Sequence, residues 1–233
     1  MAKDVIIACD FDSAEKTYKF LDLFENERPF VKIGMELFYA EGPQIAKEIK
    51  KRGHKIFLDL KLHDIPNTVK KAMAVLSKLD VDMVNVHAAG TANMMKAAVE
   101  GLTRADGTRP LIVAVTQLTS TDEESLKEEL LIDKPMEEVV MYYADNARKA
   151  GLDGVVCSPL EAAAVHAKCG ENFITVTPGV RFEEGDRGDQ KRVTTPAEAR
   201  RIGSDYIVMG RPITAAADPV AAYIRAKKEF TGE

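Results

Sequence analysis

A chain of 233 residues, 45% of them apolar, can bury a sizeable core as one large barrel or two small domains. Its formal net charge of -5 mixes both signs and contains no basic block, which argues against general nucleic-acid binding while leaving room for a small basic phosphate pocket. No uncharged apolar run is long enough to span a bilayer, and three dispersed cysteines without a CxxC pair suit a reduced, cytoplasmic protein better than a disulfide scaffold or zinc site.

Strand-like residues begin almost at once, with Asp4 following Lys3 where a secretory signal would place an apolar run. Short β-rich runs predict strands over residues 5–9, 30–34, 55–61, 82–87, 111–116, 154–158, 173–177 and 206–209. Amphipathic stretches between them, such as 43–52, 68–79 and 136–150, predict helices. Strands alternating with helices imply a parallel sheet, and eight strands is the number that closes on itself. The expected fold is therefore α/β, a (β/α)8 TIM barrel forming one domain over residues 1–233. A doubly wound open sheet is the alternative, but Asp10-Phe11-Asp12-Ser13 follows the first strand where such a sheet would carry a Gly-rich dinucleotide turn.

Toward the C-terminus, Thr195-Pro196-Ala197-Glu198 predicts a helix start with a hydroxyl cap, a proline in the first turn and a capping-box carboxylate. Asp218-Pro219 repeats the cap and proline, and Gly203 predicts a left-handed helix stop. The connection 178–194 is rich in Gly, Asp, Glu and Arg and has no apolar period. A binding lid and a tolerated surface insertion fit that composition equally.

Barrel enzymes place their chemistry at the C-terminal ends of the strands. Those ends hold Asp10, Lys32, the run from Asp59 through Lys61 to His63 and Asp64, then Asn85 with His87, Thr116 with Gln117, and Gly210 with Arg211. Asp59 and Lys61 are two apart on a strand and point to the same side, while Ile56, Leu58 and Leu60 suit the face under the helices. Lys32, on the neighbouring strand, can join them. A lone buried Asp–Lys pair is more often structural than catalytic. Two lysines converging with several carboxylates are costly to bury unless a function retains them.

Nearby carboxylates favour the ammonium form of Lys61, so it reads as a proton donor or cationic stabiliser; a Schiff-base lysine needs an apolar pocket or a second cation. The same ammonium groups would compete with a divalent metal for Asp10, Asp59 and His87, so no metal is expected. His63 and His87 are expected to be hydrogen-bonded structural histidines, and His54 and His166 carry no signal. The loops after strands seven and eight often bind phosphate in barrels. Here they offer Arg181, Gln190, Gly210 and Arg211, with arginine supplying a fork of donors.

Asp59-Leu60-Lys61-Leu62-His63-Asp64-Ile65-Pro66-Asn67-Thr68 resembles the D-x-K-x-x-D-I-x-x-T signature of the orotidine 5'-phosphate decarboxylases. The likeness covers essentially the whole chain. Asp10, Val31-Lys32-Ile33-Gly34, Thr116-Gln117-Leu118-Thr119-Ser120, Thr177-Pro178-Gly179-Val180-Arg181, Asp189-Gln190 and Gly210-Arg211 follow in the family's order. The D-x-K-x-x-D core alone is shared with sugar-phosphate decarboxylases; the Ile-Pro-x-Thr extension and the later segments are far more specific.

The resemblance implies a cofactor-free enzyme that removes CO2 from orotidine 5'-phosphate to leave UMP, the last step of de novo UMP synthesis. It implies that Lys61 protonates C6. Lys32, Asp59, Lys61 and Asp64 would form an alternating charge array, with Asp64 and Thr68 reaching in from the other subunit of a homodimer. Asp10 and Lys32 would hold the ribose, and Thr119 and Ser120 would border the pyrimidine. Pro178 would join the substrate-binding set, while Arg181, Gln190, Gly210 and Arg211 would bind or close over the phosphate. The rivals are a magnesium-dependent 3-keto-gulonate-phosphate decarboxylase and a non-catalytic sensor of pyrimidine nucleotides. The sensor has no need of a lysine between two acids.

Overall fold

The computed structural model describes residues 3–184 and 194–232. β1 (Asp4–Ala8) leads through α1 (Ala14–Leu21) to β2 (Phe30–Gly34), and α2 (Met35–Glu41) and α3 (Gln44–Lys51) lead to β3 (Ile56–Leu62). α4 (Pro66–Leu76), β4 (Met83–His87), α5 (Thr91–Leu102) and β5 (Leu111–Val115) follow, then α6 (Glu123–Glu128), α7 (Met136–Lys149) and β6 (Gly154–Val156). α8 (Ala162–Cys169), β7 (Ile174–Thr177), α9 (Pro196–Ile202), β8 (Tyr206–Met209), α10 (Arg211–Thr214) and α11 (Pro219–Thr231) complete the order. Each strand pairs in parallel with the next and β8 pairs with β1, so the sheet closes into a (β/α)8 barrel. Closure removes the open-sheet alternative and gives each of these strands a partner on both sides.

The two-residue period of the strands sorts the core into two clusters. Ile6, Phe30, Phe57, Met83, Val113 and Val176 pack together inside the barrel. Their sequence neighbours Val5, Val31, Ile56, Leu58, Val84 and Ile112 belong to the larger cluster between strands and helices. Lys32 and Asp59 share the parity of Phe30 and Phe57, so the chain directs them to the barrel interior, as the alternation predicts. Leu58 and Leu60 are buried on the opposite face, beneath the helices.

Helix starts depart from the prediction where local chemistry competes. α4 begins at Pro66, two residues before the predicted start. Ile65 is extended (φ -57, ψ 149) and proline's fixed φ opens the first turn. At α9 the Thr195 hydroxyl accepts from the Glu198 N–H at 3.2 Å, as expected of a cap. The predicted capping-box role of Glu198 is not observed, because its carboxylate accepts from the Arg201 guanidinium at 2.6 and 2.8 Å instead. Asp218 caps α11 by accepting from the Ala221 N–H at 2.9 Å. Gly203 ends α9 at φ 107, in the left-handed region that lacks a penalty only for glycine.

The cysteines are free, as expected. Burial pushes the Cys9 thiol up to about 12, so it is an inert core group. The described ends of the connection 178–194 are tied together. Val180 bridges to Thr194, the Arg181 N–H donates to Thr194 O at 2.9 Å, and the Thr194 N–H donates to Gly179 O at 3.2 Å. Phe182 lies under the Arg225 guanidinium of α11, 4.2 Å from ring centre to Cζ. Gln190, with its neighbour Asp189, lies outside the described residues.

Candidate active site

β3 is not a regular strand where it enters the site. Leu58 pairs with Val84 and Leu62 with Val86, so the run from 58 to 62 faces only the run from 84 to 86. The extra residues form a bulge, and Lys61 within it has φ 49, a left-handed conformation uncommon for a residue with a Cβ. The two-residue spacing predicts a straight strand with both side chains on one side. The contact it predicts is present, but on a different backbone: Lys61 Nζ lies 2.7 Å from Asp59 Oδ1.

Asp59 is the hub of a charged row. Lys32 Nζ lies 3.5 Å from its Oδ2 and donates to Asp10 Oδ1 at 2.8 Å. The order Asp10, Lys32, Asp59, Lys61 therefore alternates in sign from the mouth of β1 to the bulge of β3. A Cβ on Gly34 would lie 3.2 Å from Asp10 Oδ1 and 3.3 Å from Lys32 Nζ, so glycine at the end of β2 leaves that pair its room. Burial is the largest influence on both central groups and favours their neutral forms. Lys32 is nonetheless held above the usual amine value, by Asp59 and Asp10. Asp59 is held below the usual carboxylate range, by Lys32, Lys61 and the donated hydrogen bonds. Asp59 is thus ionised at neutral pH, and its stabilising contribution is lost only as pH falls through that depressed value.

One residue given no role by the sequence reading completes the row. Asn85 on β4 is 1% exposed. Its Nδ2 donates to Asp59 Oδ1 at 2.6 Å and its Oδ1 accepts from the Lys61 N–H at 2.7 Å. The available signal was an amide at an inward-facing position among the apolar residues Met83, Val84 and Val86. The rings of His63 and His87, expected to be hydrogen-bonded, instead meet each other 5.7 Å apart at a tilt of 32°. Burial, then His63 and Lys61, lower the His87 pKa from the ordinary histidine value.

Two adjoining cavities open on the row. The smaller, about 220 Å³, lies over Lys61 and Asp59 and is walled by Gln117, Thr119, Ser120 and Pro178. The other, about 450 Å³, runs from Asp10 and Lys32 to Arg181, Gly210 and Arg211. Lys32, Pro178 and Val208 line both, which makes them one continuous cleft. Asp64 and Thr68, by contrast, are exposed and line neither cavity. Asp64 Oδ1 accepts from the Ile65 N–H at 2.6 Å, and Ile65 presents 67% of its surface outward. Among the described residues, no cluster of three His, Cys, Asp or Glu side chains is placed to hold a metal. None of the described helices is long and apolar enough to cross a membrane.

The chain is 55% identical over 235 aligned positions to the orotidine 5'-phosphate decarboxylases of Bacillus cytotoxicus and Bacillus mycoides, covering 100% of this chain and 99% of each relative. The crystal structure of the Lactobacillus acidophilus orotidine 5'-phosphate decarboxylase superposes with a TM-score of 0.88 at 44% identity, covering 98% of this chain and 99% of that one. An uncharacterized conserved protein from Geobacillus kaustophilus superposes with a TM-score of 0.87 at 50% identity, covering 97% and 99%. The family model described as Orotidine 5'-phosphate decarboxylase / HUMPS family matches residues 3–226, and with a closed barrel carrying a lysine–carboxylate row at its mouth the chain belongs to that family.

Proposed function

We infer that this chain decarboxylates orotidine 5'-phosphate to UMP and CO2 without a cofactor, as the last step of UMP synthesis. The observation that carries the reading is the Asp10–Lys32–Asp59–Lys61 row on the floor of a cleft that ends in arginines. The relatives named for this activity span the whole chain. Loss of CO2 leaves an electron pair on C6 with no adjacent electron sink. The Lys61 ammonium stabilises that charge electrostatically and then donates its proton to C6, and solvent returns a proton to the amine. Asp59 keeps Lys61 charged and aimed. It also repels the substrate carboxylate more before CO2 departs than after, so the interaction favours the transition state.

Asp10 and Lys32 hold the ribose, Thr119, Ser120 and Pro178 border the pyrimidine, and Arg181, Gly210 and Arg211 take the phosphate. Gln190 belongs with the phosphate group on sequence grounds. The described ends of the connection are tied at Val180 and Thr194, with Val180 and Arg181 lining the arginine end of the cleft. We assign Asp64 and Thr68 to the neighbouring site of a homodimer, because they are exposed here beside the outward-facing Ile65 and line neither cavity of their own chain. The free cysteines fit a cytoplasmic location.

The direct test is the loss of orotidine 5'-phosphate absorbance with purified protein, before and after dialysis against EDTA. Full activity in both is expected, since ammonium groups already occupy the carboxylates. Activity that vanishes on dialysis and returns with Mg2+ would move the chain toward the sugar-phosphate branch. For the phosphate end, Arg211→Ala should weaken UMP far more than uridine in a calorimetric titration. Loss of a charge-assisted contact is worth roughly 1.5–3 kcal/mol, about 10- to 160-fold in affinity. Equal weakening of nucleotide and nucleoside would remove Arg211 from the phosphate site.

A further inference from the structure

We propose that Asn85 is a positioning residue of the reaction, setting both the orientation of the Asp59 carboxylate and the backbone conformation that aims Lys61. The proposal rests on the assignment of Lys61 and Asp59 made above. The bulge in β3 takes the Lys61 N–H out of the strand ladder. A buried N–H without an acceptor costs stability, so the bulge needs one from outside the ladder. Asn85 Oδ1 supplies it at 2.7 Å. The other end of the same amide donates to Asp59 Oδ1 at 2.6 Å, the oxygen that also receives the Lys61 ammonium.

The orientation of the amide follows from its partners. A backbone N–H only donates and an ionised carboxylate only accepts, so the oxygen must face Lys61 and the nitrogen must face Asp59. One rigid planar amide therefore spans the acid and the base and fixes their separation. The amide is buried and the substrate cleft lies beyond it, so Asn85 acts through Asp59 and Lys61.

Replacing Asn85 by leucine roughly keeps the side chain's size and removes both hydrogen bonds. Misplacement of a reacting group by about 1 Å costs on the order of 100-fold in rate. Asn85→Leu should therefore lower kcat by roughly 10- to 100-fold while KM and UMP affinity stay within about threefold, because the ribose and phosphate contacts lie elsewhere.

Asn85→Asp gives a sharper test. The introduced carboxylate would face Asp59 where the amide now donates, and two carboxylates that close cannot both ionise. The other titratable groups nearby are Lys61 on β3, Lys32 on β2, and the His63–His87 pair; the β5 partner of position 85 is Val113, which has none. A single proton shared between Asp59 and the introduced carboxylate restores a donor toward Asp59. The kcat of this variant should rise as pH falls through a value above the ordinary carboxylate range, across a window in which wild type, whose amide has no proton to lose, stays flat.

The measurements are kcat and KM against pH and UMP affinity for both variants, with Lys61→Ala as control. The proposal is overturned if folded Asn85→Leu keeps wild-type kcat, or if it loses UMP affinity in step with kcat. It is also overturned if Asn85→Asp follows the wild-type profile or shows no recovery at low pH. Should Asn85→Leu fail to fold, the Asn85→Asp profile decides. Wild-type turnover by Lys61→Ala would instead bring down the reading of the site on which the proposal stands.

Discussion

Purified Lys61→Ala should turn over orotidine 5'-phosphate at least about 10²–10⁴-fold more slowly than wild type, the range for loss of a general acid, while still binding UMP. The loss exceeds that range if the ammonium also stabilises the carbanion. Binding persists because Asp10, Arg181, Gly210 and Arg211 line a cavity of their own, joined to the Lys61 compartment through Lys32, Pro178 and Val208. Asp59 keeps its contacts with Lys32 and Asn85 in the variant, so the buried acid is not left without a partner. The readout is single-turnover chemistry beside a calorimetric UMP titration. Wild-type kcat would sink the assignment of the proton donor, and loss of UMP binding together with turnover would show that Lys61 holds ligand more than it drives chemistry.

Lys61→Ala and Asp64→Ala, each nearly inactive alone, should recover roughly a quarter of wild-type activity when coexpressed in equal amounts. Random pairing under two-fold symmetry makes half the dimers mixed. If each site takes Lys61 from one chain and Asp64 from its partner, one site of a mixed dimer collects both lesions and the other collects neither. The structure motivates the arrangement through what Asp64 lacks: it is exposed, engages its own backbone neighbour, and lines no part of its own chain's cleft. Demonstrated mixed dimers without recovery would return Asp64 to its own chain's site.

The barrel was legible because its determinants are periodic. Alternation in residues such as Phe30-Val31-Lys32-Ile33 states which side chains face inward, and the recurrence of strands and helices states how the sheet closes. Asp59 was placed by parity, and Lys32 by its position on the neighbouring strand, and the two meet at 3.5 Å. What the sequence did not reveal was non-periodic. The β3 bulge depends on how β3 meets β4, a long-range register that no local pattern encodes. Asn85 was visible as a polar end-of-strand residue, but its role exists only because the bulge frees the Lys61 N–H. Glu198 had two acceptable partners, and its sequence neighbour Arg201 won over the backbone cap. Asp64 and Thr68 were assigned by motif alone, since a single chain carries no pattern for a neighbour's cleft.

The left-handed backbone at Lys61 has a consequence for how the chain can change. A residue with a Cβ in that region carries roughly 1 kcal/mol of strain, which glycine would not. Position 61 is therefore one where greater thermal robustness and chemistry pull in opposite directions. A lineage selected only for persistence of the fold would drift there toward glycine, and asparagine would be the next most tolerated. On the role proposed for Lys61 as proton donor, the chain carries lysine there for turnover at that small cost in stability.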